Sequence, residues 1–291
     1  MPRIKGLAAK TCKLRVLFNR CDPVKAATKA RQIKQREKLM AKLTVERLRG
    51  SLLRCLLLTS QSPHRVAETL TSLTHIPNVT VSPQDYWMPK GLSNYKETTL
   101  LDNDHFLSSD RRRELKYWWL KKPRGAMLPN WDIAATCTIE RGKGLLLIEA
   151  KAHDRELSEA GKPKPTTPNG RLNHEHIKMA IDEANTGLNQ VVPGWRLARD
   201  SHYQLSNRFA WVWKLTALEV PVVLIYLGFL DATEMLDQGQ YFDSDEAWQA
   251  CIRNHSNGIV PEDAWERRLE INGTPVWFLI RSARLTLDVM G

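Results

Sequence analysis

The stretch PNWDIAATCTIERGKGLLLIEAKAH, residues 129–153, restricts the fold more than any other part of the chain. Two apolar runs flank a short polar centre, the pattern of two buried strands joined by a tight turn. Yet Asp132, Glu149 and Lys151 lie inside it. Charged side chains seldom enter a core unless they are paired or hold a metal. The turn falls within Glu140–Gly144, and two-residue hairpin loops are the commonest. A loop at Glu140–Arg141 sets Asp132 opposite Glu149, one at Arg141–Gly142 sets it opposite Lys151, and one at Gly142–Lys143 sets it opposite His153. In all three registers Asp132, Glu149 and Lys151 share one face, because side chains alternate with period two and opposite residues share a side. A three-residue loop breaks this convergence.

Periodicity and punctuation place the other elements. SPHRVAETLTSLT is helix-like, and SSDRRRELKYWWLKK (108–122) is a capped helix. Residues 152–172 are a polar loop rich in proline, followed by a helix whose Ile177, Ile181, Ala184 and Leu188 fall on one face. A second helix covers 202–219, and the wholly apolar PVVLIYLGFL from Pro221 is a strand buried on both faces. The helix SDEAWQACIRNH and the strand PVWFLIRSARL follow. This order specifies a single α/β (α+β) domain, a mixed central sheet flanked by helices.

The net charge of +11 divides unevenly. Residues 1–50 hold 15 Lys or Arg against three acids, and the remaining 241 residues hold 28 basic against 29 acidic. The basic character therefore belongs to a leader, with a helix expected over residues 23–49, and the body at 51–291 is nearly neutral. Such a leader suits a polyanion, nucleic acid above all, and equally suits a solvated arm. Met40 offers an internal start. Five scattered cysteines without a C-x-x-C pair argue against a disulfide framework and a structural zinc site, and fit a reducing cytoplasm. No run approaches the roughly 20 apolar residues of a membrane helix.

Two carboxylates brought together raise one another's proton affinity unless a cation intervenes. Two such oxygen donors suit a hard divalent ion, Mg²⁺ or Mn²⁺, and a neighbouring lysine balances charge on an attacked phosphate. In this respect Asp132, followed by Glu149-Ala150-Lys151, resembles the PD-(D/E)XK nuclease superfamily, with its acid on one strand and (D/E)-x-K on the next. The proline-aspartate step itself is missing, since Asn130 and Trp131 separate Pro129 from Asp132. The resemblance covers about residues 108–230 and implies a restriction-endonuclease-like core. It further implies Asp132, Glu149 and the Ala150 carbonyl as metal ligands and Lys151 as the catalytic lysine. It also implies a metal-dependent nuclease acting on nucleic acid, DNA foremost. Gln204 on the helix after the E-x-K strand is a further candidate, sharing a helix face with Arg208.

A second E-x-K, Glu114-Leu115-Lys116, sits in a helical pattern without an upstream acid on a strand, although Glu114 is a candidate to reach the site. His174-Glu175-His176 reads as a helix start, because adjacent helical positions point apart. The ten tryptophans are expected in the core by default. The rival expectations are a catalytically idle nucleic-acid-binding or scaffold protein of the same fold, and a metal-dependent hydrolase of another substrate. The oligomeric state stays open, a homodimer being one option.

Overall fold

The computed structural model describes residues 49–285. The leader, its expected helix over 23–49 and Met40 lie outside the described residues, apart from Arg49 and Gly50. No helix among the described residues is long and apolar enough to cross a membrane.

Six helices and seven strands build the described body: α1 Gly50–Thr59, α2 Pro63–Thr74, β1 Val79–Thr80, β2 Trp87–Met88, α3 Ser109–Trp119, β3 Ile133–Ile139, β4 Gly142–Lys151, α4 Pro168–Asn189, α5 Tyr203–Ala217, β5 Val222–Leu230, α6 Asp245–Ser256, β6 Arg268–Ile271 and β7 Thr274–Arg284. The strands form one mixed sheet in the order β1-β3-β4-β5-β7-β6, with β2 sharing the outer edge of β3. β3 and β4 are antiparallel, whereas β5 runs parallel to both β4 and β7. A parallel neighbour needs a long crossover, which α4 and α5 supply between β4 and β5 and α6 supplies between β5 and β7.

Helices cover both faces of the sheet. On one, Ile133, Ala135, Ile148, Val223 and Ile225 pack against Cys55 and Leu58 of α1 and Val66 and Leu70 of α2. On the other, Ala134, Leu147, Leu224, Tyr226 and Phe278 pack against Trp119, Ile177, Ile181, Phe209 and Trp211 from α3, α4 and α5. Every residue of β5 is buried, as its unbroken apolar run requires.

Local chemistry sets the helix starts. Ser62, Ser108, Thr167 and Ser244 each accept a hydrogen bond from the backbone N–H three residues on, and Pro63 and Pro168 stand in first turns where their missing N–H costs nothing. The Thr167–Pro168 start corrects the sequence reading, which kept residues 152–172 as loop. A second hairpin, β6–β7, turns at Asn272 and Gly273 with φ of 53° and 71°, the left-handed pair that Asn-Gly favours.

Gly228 in β5 lies against α6, and a Cβ there would come within 2.4 Å of the Trp248 ring. Gly228→Ala should therefore destabilise the body by about 1–3 kcal/mol, as overpacking does. Chemical denaturation checks this, and an unchanged midpoint would contradict the contact.

Candidate functional site

The β3–β4 ladder runs from Ile139↔Gly142 to Ile133↔Ile148, so the loop is Glu140–Arg141, the first of the three registers considered. Glu140 takes the left-handed conformation that this tight loop needs, with φ of 57°. Continuing the ladder by one residue sets Asp132 opposite Glu149. The Asp132 carboxylate accepts a hydrogen bond from the Ala150 N–H at 2.7 Å. The pleat turns Asp132, Glu149 and Lys151 to the side of Ala134 and Leu147, the face that α5 covers.

Glu149 is 1% exposed and hydrogen-bonded through both oxygens. Its Oε1 accepts from Lys151 Nζ and from Gln204 Nε2, both at 2.6 Å, and its Oε2 accepts from Arg208 Nε at 2.6 Å. Gln204 and Arg208 reach it together because residues four apart on α5 point the same way. The Arg208 guanidinium also lies 4.7 Å from the centre of the Trp131 ring and donates to Asn207 at 2.8 Å. The four predicted residues Asp132, Glu149, Lys151 and Gln204 thus meet, with Arg208 as a fifth member.

The two carboxylates titrate in opposite directions. Burial, and then the charge of Glu149, push Asp132 up to about 7 against the opposing pull of Lys151 and the Ala150 N–H. Burial pushes Glu149 up as well, but the charges of Arg208 and Lys151 overcome it and hold this carboxyl below its ordinary value. Burial works against the charge on Lys151 and Arg208, and the facing carboxylates more than restore it. Glu97, hydrogen-bonded by Asn130, is pushed up by burial and by Glu149.

These groups line one side of a cleft of about 860 Å³. Its other walls come from residues 126–130, from Lys162, Pro163 and Pro165, and from His174 and Ile177 of α4. Four carboxylates, Glu97, Asp132, Glu149 and Glu156, border the same space. Two of them, Asp132 and Glu97, hold protons more tightly than usual, burial being the largest cause in each. The donor set fits a small hard cation: the second Asp132 oxygen has no partner among the described residues, and Glu149 keeps one free lone-pair direction. Ala150 follows Glu149 directly and its N–H donates to Asp132, and the resemblance makes its carbonyl the expected third ligand.

The remaining candidates fall elsewhere. Glu114 is exposed on α3 and pairs with Lys214 at 2.8 Å, so the second E-x-K takes no part in the cleft. His174, Glu175 and His176 diverge as expected: His174 is buried, Glu175 bonds Arg199 and His176 faces the Tyr117 carbonyl. Nine of the ten tryptophans are buried, Trp118 being the exception. Arg208 and Glu97 were not among the predicted site residues. An arginine one place before Phe209 on a helix this apolar was the signal available for the first; nothing in the pattern of residues 96–98 marks the second.

No protein-family model, no curated protein and no solved structure matches the chain.

The Asp132 proton makes stability depend on pH. From about 4, where an exposed aspartate ionises, to about 7, the folded chain keeps a proton that the unfolded chain has lost. Stability from this group is therefore present at low pH and falls as pH rises through that window. In EDTA, the stability of the native protein relative to Asp132→Asn should decline between about pH 4 and 7. Parallel pH profiles for the two proteins would contradict the assignment.

Proposed function

We propose that this chain is a divalent-metal-dependent nuclease with a restriction-endonuclease-like core, hydrolysing phosphodiester bonds of nucleic acid, DNA foremost. The observation that carries this reading is the meeting of Asp132, Glu149, Lys151 and Gln204 from three separate segments at the side of an open cleft. The order α3, β3–β4, α5, β5 supports the fold half of the reading. So does the antiparallel pair followed by a parallel strand.

Asp132 and Glu149, with the Ala150 carbonyl, would hold Mg²⁺ or Mn²⁺, which supplies the Lewis acidity that attack on a phosphodiester needs. Lys151 stands beside both acids, with a fixed ammonium to orient the water and offset charge gathering on the phosphate oxygens. Gln204 donates to Glu149 and fixes its orientation, and Arg208 holds the other oxygen. Phosphate groups entering the cleft would meet Lys162 at its wall. Lys121, Lys122 and Arg124 are exposed on the loop between the cleft residues Leu120 and Ala126 and extend this basic rim.

A second reading, an idle nucleic-acid-binding or scaffold protein of the same fold, draws on one specific observation. Both Glu149 oxygens already hold cations, so the trio also makes sense as a closed ion network. Plasmid and single-stranded DNA incubated with the full chain and Mn²⁺ separates the two. The native protein should cleave, and Asp132→Asn and Lys151→Met should each lose about 100-fold or more while still folding. DNA retarded on a gel but left intact would favour the idle protein, and full activity in both variants would move the chemistry elsewhere.

A further inference from the structure

Glu159, His202 and His255 bring one donor atom each to within 4.8 Å of one another, and none of the three lines the Asp132–Glu149 cleft. They come from three segments. Glu159 is on the loop after β4, His202 is the residue that opens α5, and His255 is in the last turn of α6. The backbone already ties two of them, because the His202 N–H donates to the Glu159 carbonyl at 2.8 Å. The His202 and His255 rings lie 5.0 Å apart at 50°, tilted rather than stacked.

Two details of His202 bear on this group. His202 Nδ1 is buried and has no hydrogen-bond partner among the described residues, as is true of ring nitrogens of His153 and His174. His202 also opens α5 in the left-handed conformation, with φ of 44° and no side-chain cap, where α2, α3, α4 and α6 begin from extended residues bearing a capping side chain.

We propose that Glu159, His202 and His255 form a zinc site. Two imidazoles and one carboxylate are the donor set of a three-ligand Zn²⁺ centre with a fourth position left to water. Imidazole nitrogen favours Zn²⁺ over Mg²⁺, so this centre and the all-oxygen cleft would select different ions. A tetrahedral ion with bonds of about 2.1 Å wants its donors about 3.4 Å apart, which the exposed Glu159 side chain and small ring rotations can reach. Bound zinc would pin the loop after β4 and the end of α6 to the N-cap residue of α5. That helix carries Gln204 and Arg208, so the ion would act as a clasp on the residues that orient Glu149.

The test uses the full chain, stripped with EDTA, dialysed against Zn²⁺ and assayed for bound metal by atomic emission. The native protein should keep one equivalent, melt several degrees higher with zinc, and show the visible bands of tetrahedral Co²⁺ when cobalt replaces it. Asp132→Asn should keep the ion, whereas Glu159→Gln and His255→Gln should each weaken binding at least about tenfold. Glu159 is exposed, so Glu159→Gln tests the site without threatening the fold. No retained zinc, equal retention in both ligand variants, or loss in Asp132→Asn instead would overturn the proposal. None of these outcomes depends on whether the chain cleaves nucleic acid.

Discussion

A carboxylate almost wholly shielded from water organises this molecule. Taking an ion such as Glu149 out of water costs several kcal/mol, repaid only by close partners of opposite charge. The chain supplies them from two directions: Lys151 two residues along the same strand, and Arg208 and Gln204 one helical turn apart on α5. The network therefore fixes α5 against β4 at one position. Its surroundings, Leu147, Tyr226, Phe209 and Trp131, are apolar and would pack well without any charge present. A buried ion cluster replaced by apolar side chains often leaves a protein as stable or more so. Packing alone does not explain why these charges are there; the chemistry proposed for the adjoining cleft would.

The contrast between the two acids follows from geometry. Glu149 points at two cations and stays ionised, while Asp132 faces that same negative charge with only a backbone N–H in direct contact and keeps a proton to about 7. Two carboxyl groups held side by side with opposite tendencies are the usual sign of a division of labour at a site. In the proposed metal site, Asp132 is the acid whose ionisation a bound cation would ease.

Much of this was written in residues 129–153. Period-two alternation and a two-residue turn sufficed to put Asp132, Glu149 and Lys151 on one face, and the structure selected the Glu140–Arg141 loop among the registers open to the sequence. The unbroken apolar run of β5 likewise announced a strand covered on both sides. Other features were present but unread. Asn272–Gly273 signals a hairpin, and Thr167–Pro168 signals a helix start, yet the first follows a short strand with little apolar content and the second lies in a run of prolines and threonines. Arg208 could be placed beside Gln204 by helical spacing, but its role depends on how α5 docks, a tertiary fact. Glu97 enters the cleft from an irregular loop, where local pattern carries no information about neighbours.

The central claim is that Asp132 and Glu149 together hold a divalent ion, and electron paramagnetic resonance of Mn²⁺ tests it most directly. Free Mn²⁺ gives a sharp six-line spectrum that fades as the ion binds, so titrating it with the full chain counts sites and gives their affinity. Glu149→Gln keeps the shape of the side chain and removes its charge. The account requires a Mn²⁺ site in the native protein that Glu149→Gln and Asp132→Asn each abolish, while Glu159→Gln leaves it intact. Mn²⁺ that stays free at millimolar concentration, or that binds native protein and Glu149→Gln alike, would reduce the cluster to a structural ion network.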